Sequence, residues 1–108
     1  MKFLDDEGRE FVASEYLKLE VLPKAYFHRS TAEIALYEEY FSSATMIVPF
    51  DVIHFAIALK HACDYGLSEF DALHLTIASR AGCAEFITSE KRSSPIFRFP
   101  GIRIRALD

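Results

Sequence analysis

Three acidic residues, Glu20, Asp71 and Glu90, are the first candidates for chemistry in this sequence. Carboxylate oxygens are the ligands that hard divalent cations such as Mg²⁺ prefer, so acids that converge in a fold can form a cation site. Asp71 is the least expected of the three, because it lies in GLSEFDALHLTIASRAG, residues 66–82, where almost every other position is apolar or small. The elements around these acids decide whether they converge.

Asp71 and Glu20 each have an ordinary structural explanation. Asp71 completes the pattern S-E-F-D that begins at Ser68, a capping box, and the helix dipole favours a carboxylate in a first turn. Glu20 lies four residues before Lys24, the spacing of a surface ion pair on a helix. Pro23, however, is predicted to end or kink that helix, and the dipole disfavours an acid in a last turn. Helix formation alone therefore explains Glu20 poorly.

Short β-branched or aromatic runs alternate with amphipathic stretches along the chain. The strand candidates are FVA at 11–13, TMIV at 45–48, EFIT at 85–88 and IRIRAL at 102–107. The helix candidates are residues 14–22 after Ser14, residues 31–43 with a capping box from Ser30 to Glu33, a helix that Asp51 opens and Gly66 stops, and a helix from residue 69. Strands that alternate with helices favour parallel pairing, so the chain is predicted to be an α/β protein, a three-layer α/β/α sandwich with a mainly parallel sheet.

The helix that Asp51 opens has the most continuous apolar stripe. The stripe consists of Val52, Phe55, Ala56, Leu59, Ala62 and Cys63, at the spacing of one helix face. His54 and His61 are predicted to lie on the opposite, polar side.

The predicted elements bring the three acids to one place. In an open parallel sheet, ligands bind outside the carboxyl ends of the strands. Glu90 comes just after EFIT, Glu20 lies in the helix that follows FVA, and Asp71 lies in the first turn of the helix from residue 69. The three acids are therefore predicted to converge at one edge of the sheet.

Composition limits the class of protein. The 108 residues, 51% of them apolar, predict one folded domain over residues 1–108. The two cysteines have no metal-finger spacing, and neither a leader nor an apolar run long enough to span a membrane is present, which predicts a cytoplasmic, reduced protein. A net charge of −4 argues against an indiscriminate nucleic-acid binder, so a polyanionic substrate would need a local basic patch or bound metal ions.

Three segments together resemble PIN domains, most closely the small stand-alone prokaryotic members that include toxin-type ribonucleases. They are SEYLKLEVLPKA at 14–25, GLSEFDALHLTIA at 66–78 and FITSEK at 86–91. The resemblance implies a site in which acids bind Mg²⁺ or Mn²⁺ and activate water to cut RNA. By position it implies that Glu20, Asp71 and Glu90 are catalytic and metal-binding, with Glu90 where the family usually has Asp.

The start of the chain departs from the family pattern. PIN domains begin with a central strand that ends in Asp, followed by a helix, and there is no room for that unit before Glu20. We interpret residues 1–5 as the tail of the family's first helix and D-D-E-G as the turn into the next strand. An N-terminally truncated domain without the first-strand Asp is therefore predicted, because the gene product is shortened or the start was taken at an internal methionine.

Basic residues gather near the third acid. Glu90, Lys91 and Arg92 read on their own as a solvated turn, but no acid occurs between Lys91 and Arg105. This segment is a candidate RNA-contacting edge. Its basic residues are Lys91, Arg92 and Arg98, followed by Arg103 and Arg105, and its aromatic residues are Phe97 and Phe99. The alternative is an edge strand protected by charge. His74 is interpreted as a packing histidine, and no histidine is assigned to metal.

Three functional hypotheses remain open. The first is a metal-dependent endoribonuclease of PIN type, whose acidic site is incomplete in this chain because the first-strand Asp is absent. The second, which that absence favours, is a PIN-derived binding or partner module without catalysis, with an antitoxin-type protein as a further candidate partner. The third is a phosphorylation receiver, suggested by F-L-D-D-E, Asp51 and Lys91, which fits poorly because Thr88, Ser89 and Lys91 share one loop.

Loss of a central strand also predicts self-association. Such a loss leaves inner strands with unpaired backbone groups, each costing on the order of 1–3 kcal/mol when buried. The flanking strands would have to pair directly, or a second copy would have to cover the exposed surface. A homodimer burying at least ~1,000 Å² is predicted, centred on aromatic residues of the 31–43 helix or on the uncovered sheet edge.

Overall fold

A computed structural model describes residues 10–107. The elements are β1 (Val12–Ser14), α1 (Glu15–Phe27), α2 (Thr31–Ser43), β2 (Met46–Val48), α3 (Val52–Tyr65), α4 (Glu69–Arg80), β3 (Glu85–Thr88), a 3₁₀ helix (Pro95–Arg98) and β4 (Arg103–Ala106). The predictions for M-K-F-L-D-D-E-G, a helix tail and a turn, concern residues outside the described range. No helix within residues 10–107 has the length and apolar character needed to cross a membrane.

The strands pair in parallel but form two separate sheets. β1 pairs with β2 from Val12 opposite Met46, and β3 pairs with β4 from Glu85 opposite Arg103. The α/β class and the parallel pairing are thereby confirmed. Within the described chain β1 and β3 belong to different sheets, so direct pairing of the two flanking strands is not the arrangement that the protein adopts.

Helix α1 continues through Pro23, so of the two predicted alternatives, an end or a kink, the end was wrong. A proline inside a helix removes one backbone hydrogen bond, which costs about 3 kcal/mol or more in isolation. Burial of Ala25 and packing of α1 against α2 extend the helix to Phe27 despite that cost. Glu20 therefore lies in the middle of α1, where the dipole argument against it does not apply.

Most of the predicted helix ends are confirmed. Ser14 accepts from the Leu17 N–H, Asp51 from Ile53 and Ser68 from Asp71, so three helices begin at side-chain caps. Ser30 is the exception, because it precedes α2 without a side-chain capping hydrogen bond. The capping box predicted from Ser30 to Glu33 was wrong, although the bounds of α2 were right.

Helix α3 packs with the face opposite to the one that its apolar stripe suggested. Val52 is 71% exposed and Leu59 66%, whereas His54 is only 7% exposed and Ala58 is buried. The small Ala58 side chain suits a close approach of α3 to α4. His61 also points inward, and its Nδ1–H donates to Thr76 Oγ1 at 3.0 Å because that hydroxyl already donates to the Ala72 carbonyl. A satisfied histidine can thus replace an apolar residue in the core.

The core is centred on α4 and the 3₁₀ helix. Leu75, Thr76, Thr88 and Ile96 are the largest fully buried side chains in the described chain. Phe99 is also buried and packs edge-on against Tyr65 at a ring distance of 5.7 Å. The inward face of α4 is therefore fixed over its whole length.

The corner between α3 and α4 depends on Gly66, and it supplies a stability test. Gly66 has φ of +66°, and an added Cβ would lie 2.8 Å from Arg98 Nη1. Gly66→Ala is expected to lower the free energy of unfolding by ~1–2 kcal/mol from left-handed strain, measured by urea denaturation. Gly82→Ala is the matched control, since Gly82 has φ of +78° and open space around it. Gly66→Ala should lower the free energy of unfolding by ~0.5 kcal/mol more than Gly82→Ala does, because of the Arg98 contact. An equal or smaller loss in Gly66→Ala would contradict this prediction.

Candidate functional site between β1 and β3

A cavity of about 630 Å³ lies between β1 and β3 and contains all three predicted acids in its wall. Each strand contributes residues along its length, with Val12, Ala13 and Ser14 on one side and Glu85, Phe86 and Ile87 on the other. Glu20, Asp71 and Glu90 line the same cavity. Elements far apart in the sequence thus bring the three acids to one space.

Glu20 is held by a histidine of another helix. Its Oε1 lies 2.9 Å from Nε2 of His74, and the predicted pair with Lys24 is replaced by this contact. The His74 side chain is 14% exposed and that of Glu20 is 37% exposed. The bond joins the middle of α1 to α4 at the wall of the cavity.

Asp71 takes part in a helix cap and also lines the cavity. Its backbone N–H donates to Ser68 Oγ at 3.3 Å, so the residue takes part in the cap of α4. Its side chain is half-buried and lines the cavity, while the following turns of α4 are buried. The capping explanation accounts for the backbone of Asp71 and leaves its carboxylate available to the cavity.

Glu90 is placed by the end of β3. Its backbone N–H donates to Thr88 Oγ1 at 3.1 Å, and Thr88 is fully buried. A short side-chain-to-backbone turn of this kind fixes the direction in which the chain leaves the strand. Glu90 itself is exposed at the rim of the cavity.

The basic residues lie outside the cavity. No Lys or Arg is among the described residues of its wall. Lys91 and Arg92 are exposed directly after Glu90, whereas Arg98 Nη1 donates to the Tyr65 carbonyl at 3.1 Å. Phe99, one of the two aromatic residues of the predicted RNA-contacting edge, is buried in the core and cannot stack on a base, whereas Phe97 is half-buried.

The acids suit a hydrated cation better than a closed metal cage. Among residues 10–107, no group of three or more His, Cys, Asp or Glu residues is arranged to bind a metal ion. Mg²⁺, however, is commonly held by one or two carboxylates together with waters and substrate phosphates. The chemistry of the donor set therefore fits Mg²⁺ or Mn²⁺ in an open site.

An aromatic pair and a cysteine complete the wall. Phe11 and Tyr40 stack at a ring distance of 4.8 Å, and both line the cavity. Burial raises the pKa of Tyr40 to about 12, so this phenol stays protonated at neutral pH. Burial also raises the pKa of the Cys83 thiol. This part of the wall is therefore partly sheltered from solvent.

Comparison with known families decides the relationship. A sequence model of the PIN domain matches residues 1–97. The chain belongs to the PIN domain family. No curated protein and no solved structure gives a significant match.

Family membership removes the receiver interpretation. Asp51, which suggested a phosphorylation site, caps α3 by accepting a hydrogen bond from the Ile53 N–H at 3.0 Å. A PIN domain is a nucleic-acid-binding fold and typically a nuclease, so the relationship supports the nuclease-related class of function.

Sequence reasoning underestimated His74 in this PIN domain. Its position three residues after Asp71 on the same face was visible in the sequence, but its partner Glu20 lies 54 residues away. The Phe11–Tyr40 pair joins the first described residues to α2 and had no local signal.

The two cysteines should differ in reactivity. Cys63 is exposed, whereas Cys83 lines the cavity with a pKa raised by burial, so less of it is thiolate at pH 8. A disulfide reagent should label Cys63 at least ~10-fold faster, in two resolved phases. Cys63→Ser should remove the fast phase and Cys83→Ser the slow one. Equal rates would show that the cavity does not bury the Cys83 thiol.

Proposed function

We propose that this PIN-family protein is an endoribonuclease that depends on Mg²⁺ or Mn²⁺. The observation that supports the proposal is the presence of Glu20, Asp71 and Glu90 in the wall of a single cavity between β1 and β3. Glu90 comes just after β3, and ligands of parallel α/β folds bind near the carboxyl ends of the strands.

Glu20 and Asp71 would hold the ion, with Glu90 at the rim. When bound, such an ion neutralises charge on the scissile phosphate and lowers the pKa of a coordinated water. The protein residues supply position: α4 fixes Asp71, and His74 fixes Glu20. No Ser–His or Cys–His nucleophile is needed in this scheme.

RNA would approach along the rim of the cavity. Carboxylates repel phosphates unless a cation lies between them, so productive binding requires the ion and nearby basic side chains. Lys91 and Arg92 are exposed next to Glu90, and Arg98 presents a further positive charge. Contacts to phosphates from these three residues would give binding without strong sequence preference.

A binding or partner module without catalysis is the second candidate. The observation that favours it is the lack of a group of three or more metal-binding side chains within the described chain. In that case the cavity and the basic residues would bind RNA or a protein partner, such as an antitoxin-type protein, without cutting RNA.

A cleavage assay separates the two candidates. We expect the protein to cut single-stranded RNA with Mg²⁺ or Mn²⁺ but not with EDTA, and Asp71→Asn to lower the rate about 100-fold or more, as for loss of one charge-stabilising group. Asp64→Asn is the matched control, because Asp64 is exposed on α3 and pairs with Lys60 away from the cavity.

Two results of this assay would contradict the endoribonuclease proposal. RNA binding by fluorescence anisotropy without cleavage under any metal would support the binding module. Cleavage that survives in Asp71→Asn would assign the activity to another protein in the preparation.

A homodimer is also proposed, with its centre on α3. The aromatic residues of α2 are less available than the sequence suggested, because Phe41 is buried and Tyr37 and Tyr40 are half-buried. The exposed stripe of α3, by contrast, presents Val52, Phe55 and Leu59 on one side. Phe50 and Ile53 lie beside it in the sequence and are exposed too. A contiguous apolar surface of this kind marks an interaction site.

The dimer is tested by light scattering at micromolar concentration. Leu59→Lys should weaken association ~30-fold or more, since a charge replaces a central apolar contact worth about 2 kcal/mol. Leu36→Lys, on exposed α2, serves as the control and should leave the dimer intact. A wild-type monomer would refute the dimer, and dissociation by Leu36→Lys alone would move its centre to α2.

A further inference from the structure

The contact between His74 and Glu20 differs from an ordinary surface pair. It connects residues 54 apart, with the histidine side chain 14% exposed at the wall of the cavity. Phe70, one turn earlier on α4, stacks on the imidazole with 26° between the ring planes and 6.0 Å between centroids. The ring is therefore restrained from one side by Phe70 and at its edge by Glu20.

The direction of the hydrogen bond follows from the carboxylate. An ionised carboxylate only accepts, so Nε2–H of His74 donates to Oε1 of Glu20. This donation needs no positive charge on the imidazole. It engages Oε1 and so sets the direction in which the Glu20 carboxylate lies.

The Glu20 side chain depends more than that of Asp71 on a hydrogen-bond partner that fixes its conformation. Asp71 has a short side chain on a helix turn that Ser68 caps. Glu20 has one more rotatable bond, and its backbone lies on a different helix from Asp71. Without a fixed partner, ordering the Glu20 side chain would oppose ion binding, because glutamate rotamer freedom is lost when the side chain becomes fixed.

We propose that His74 is a positioning residue of the acidic cavity, which holds the Glu20 carboxylate so that Glu20 and Asp71 can bind one divalent cation. The inference rests on the proposed function of the cavity and adds a residue to it. Hydrogen-bond partners of metal ligands typically change metal affinity 10–100-fold when they are removed. His74 acts through Glu20 and does not itself touch the ion.

The test measures Mn²⁺ affinity of the purified protein, by electron paramagnetic resonance of free Mn²⁺, without RNA. His74→Leu removes the donor and should weaken Mn²⁺ binding 10–100-fold. His74→Gln keeps an N–H donor and should restore most of the affinity. In a Glu20→Ala background, His74→Leu should have no further effect, because the residue through which His74 acts is gone.

Each contrary result has a separate meaning. Equal Mn²⁺ affinity of wild type and His74→Leu would overturn the positioning role alone, as would a full additional loss in the Glu20→Ala background. A wild type that binds no Mn²⁺ would overturn the cation site itself and this inference with it. Thermal unfolding of the same variants without metal identifies a purely structural role, in which His74→Leu and His74→Gln lower Tm but leave the affinity unchanged.

Discussion

The packing of α4 is the constraint on which the rest of the structure depends. Leu75 and Thr76 are completely buried, and α3 runs against the same helix. Because a helix repeats every 3.6 residues, fixing this face also fixes where Asp71 and His74 point. Gly66 and Ser68 set the corner at which α4 begins. A site on α4 is thus positioned by the core itself and not by a loop.

Local signals in the sequence predicted much of this fold, because they act over a few residues. The cap at Asp51 and the left-handed Gly66 were read correctly, and EFIT at Glu85–Thr88 is a strand with the predicted bounds. A helix between two successive strands favours their parallel pairing, so the parallel direction of the strands was predictable too. The rule about the ends of parallel strands led to the prediction that the three acids converge, and the structure places all three in the wall of one cavity.

Features that depend on tertiary contacts were not predictable in the same way. The extension of α1 through Pro23 depends on packing of the last turn, which propensity does not contain. The orientation of α3 was misread because burial of His54 and His61 requires aromatic and hydroxyl partners distant in sequence. An apolar stripe shows that a face will be covered, but it does not say whether the cover is the same chain.

The exposed face of α3 has an energetic consequence. Burying a side chain such as Val, Leu or Phe contributes about 1.5–3 kcal/mol, and the monomer forgoes part of this at Val52, Phe55 and Leu59. A single small domain has a total stability of only ~5–15 kcal/mol. If a second copy covers the stripe as proposed, the burial would add to the stability of the fold, and the cavity between β1 and β3 would stay open to another ligand.

The cavity wall and its rim differ in charge. The protein carries a net charge of −4, and the described cavity wall combines acids with no Lys or Arg. A polyanion meets repulsion there at low ionic strength, where the Debye length is longest. A divalent cation bound by the acids would reverse the sign locally, and the exposed Lys91 and Arg92 would attract phosphates beside it. Recognition of RNA by such a surface would depend on the cation as much as on basic side chains, so RNA affinity and occupancy of the acidic site must rise together.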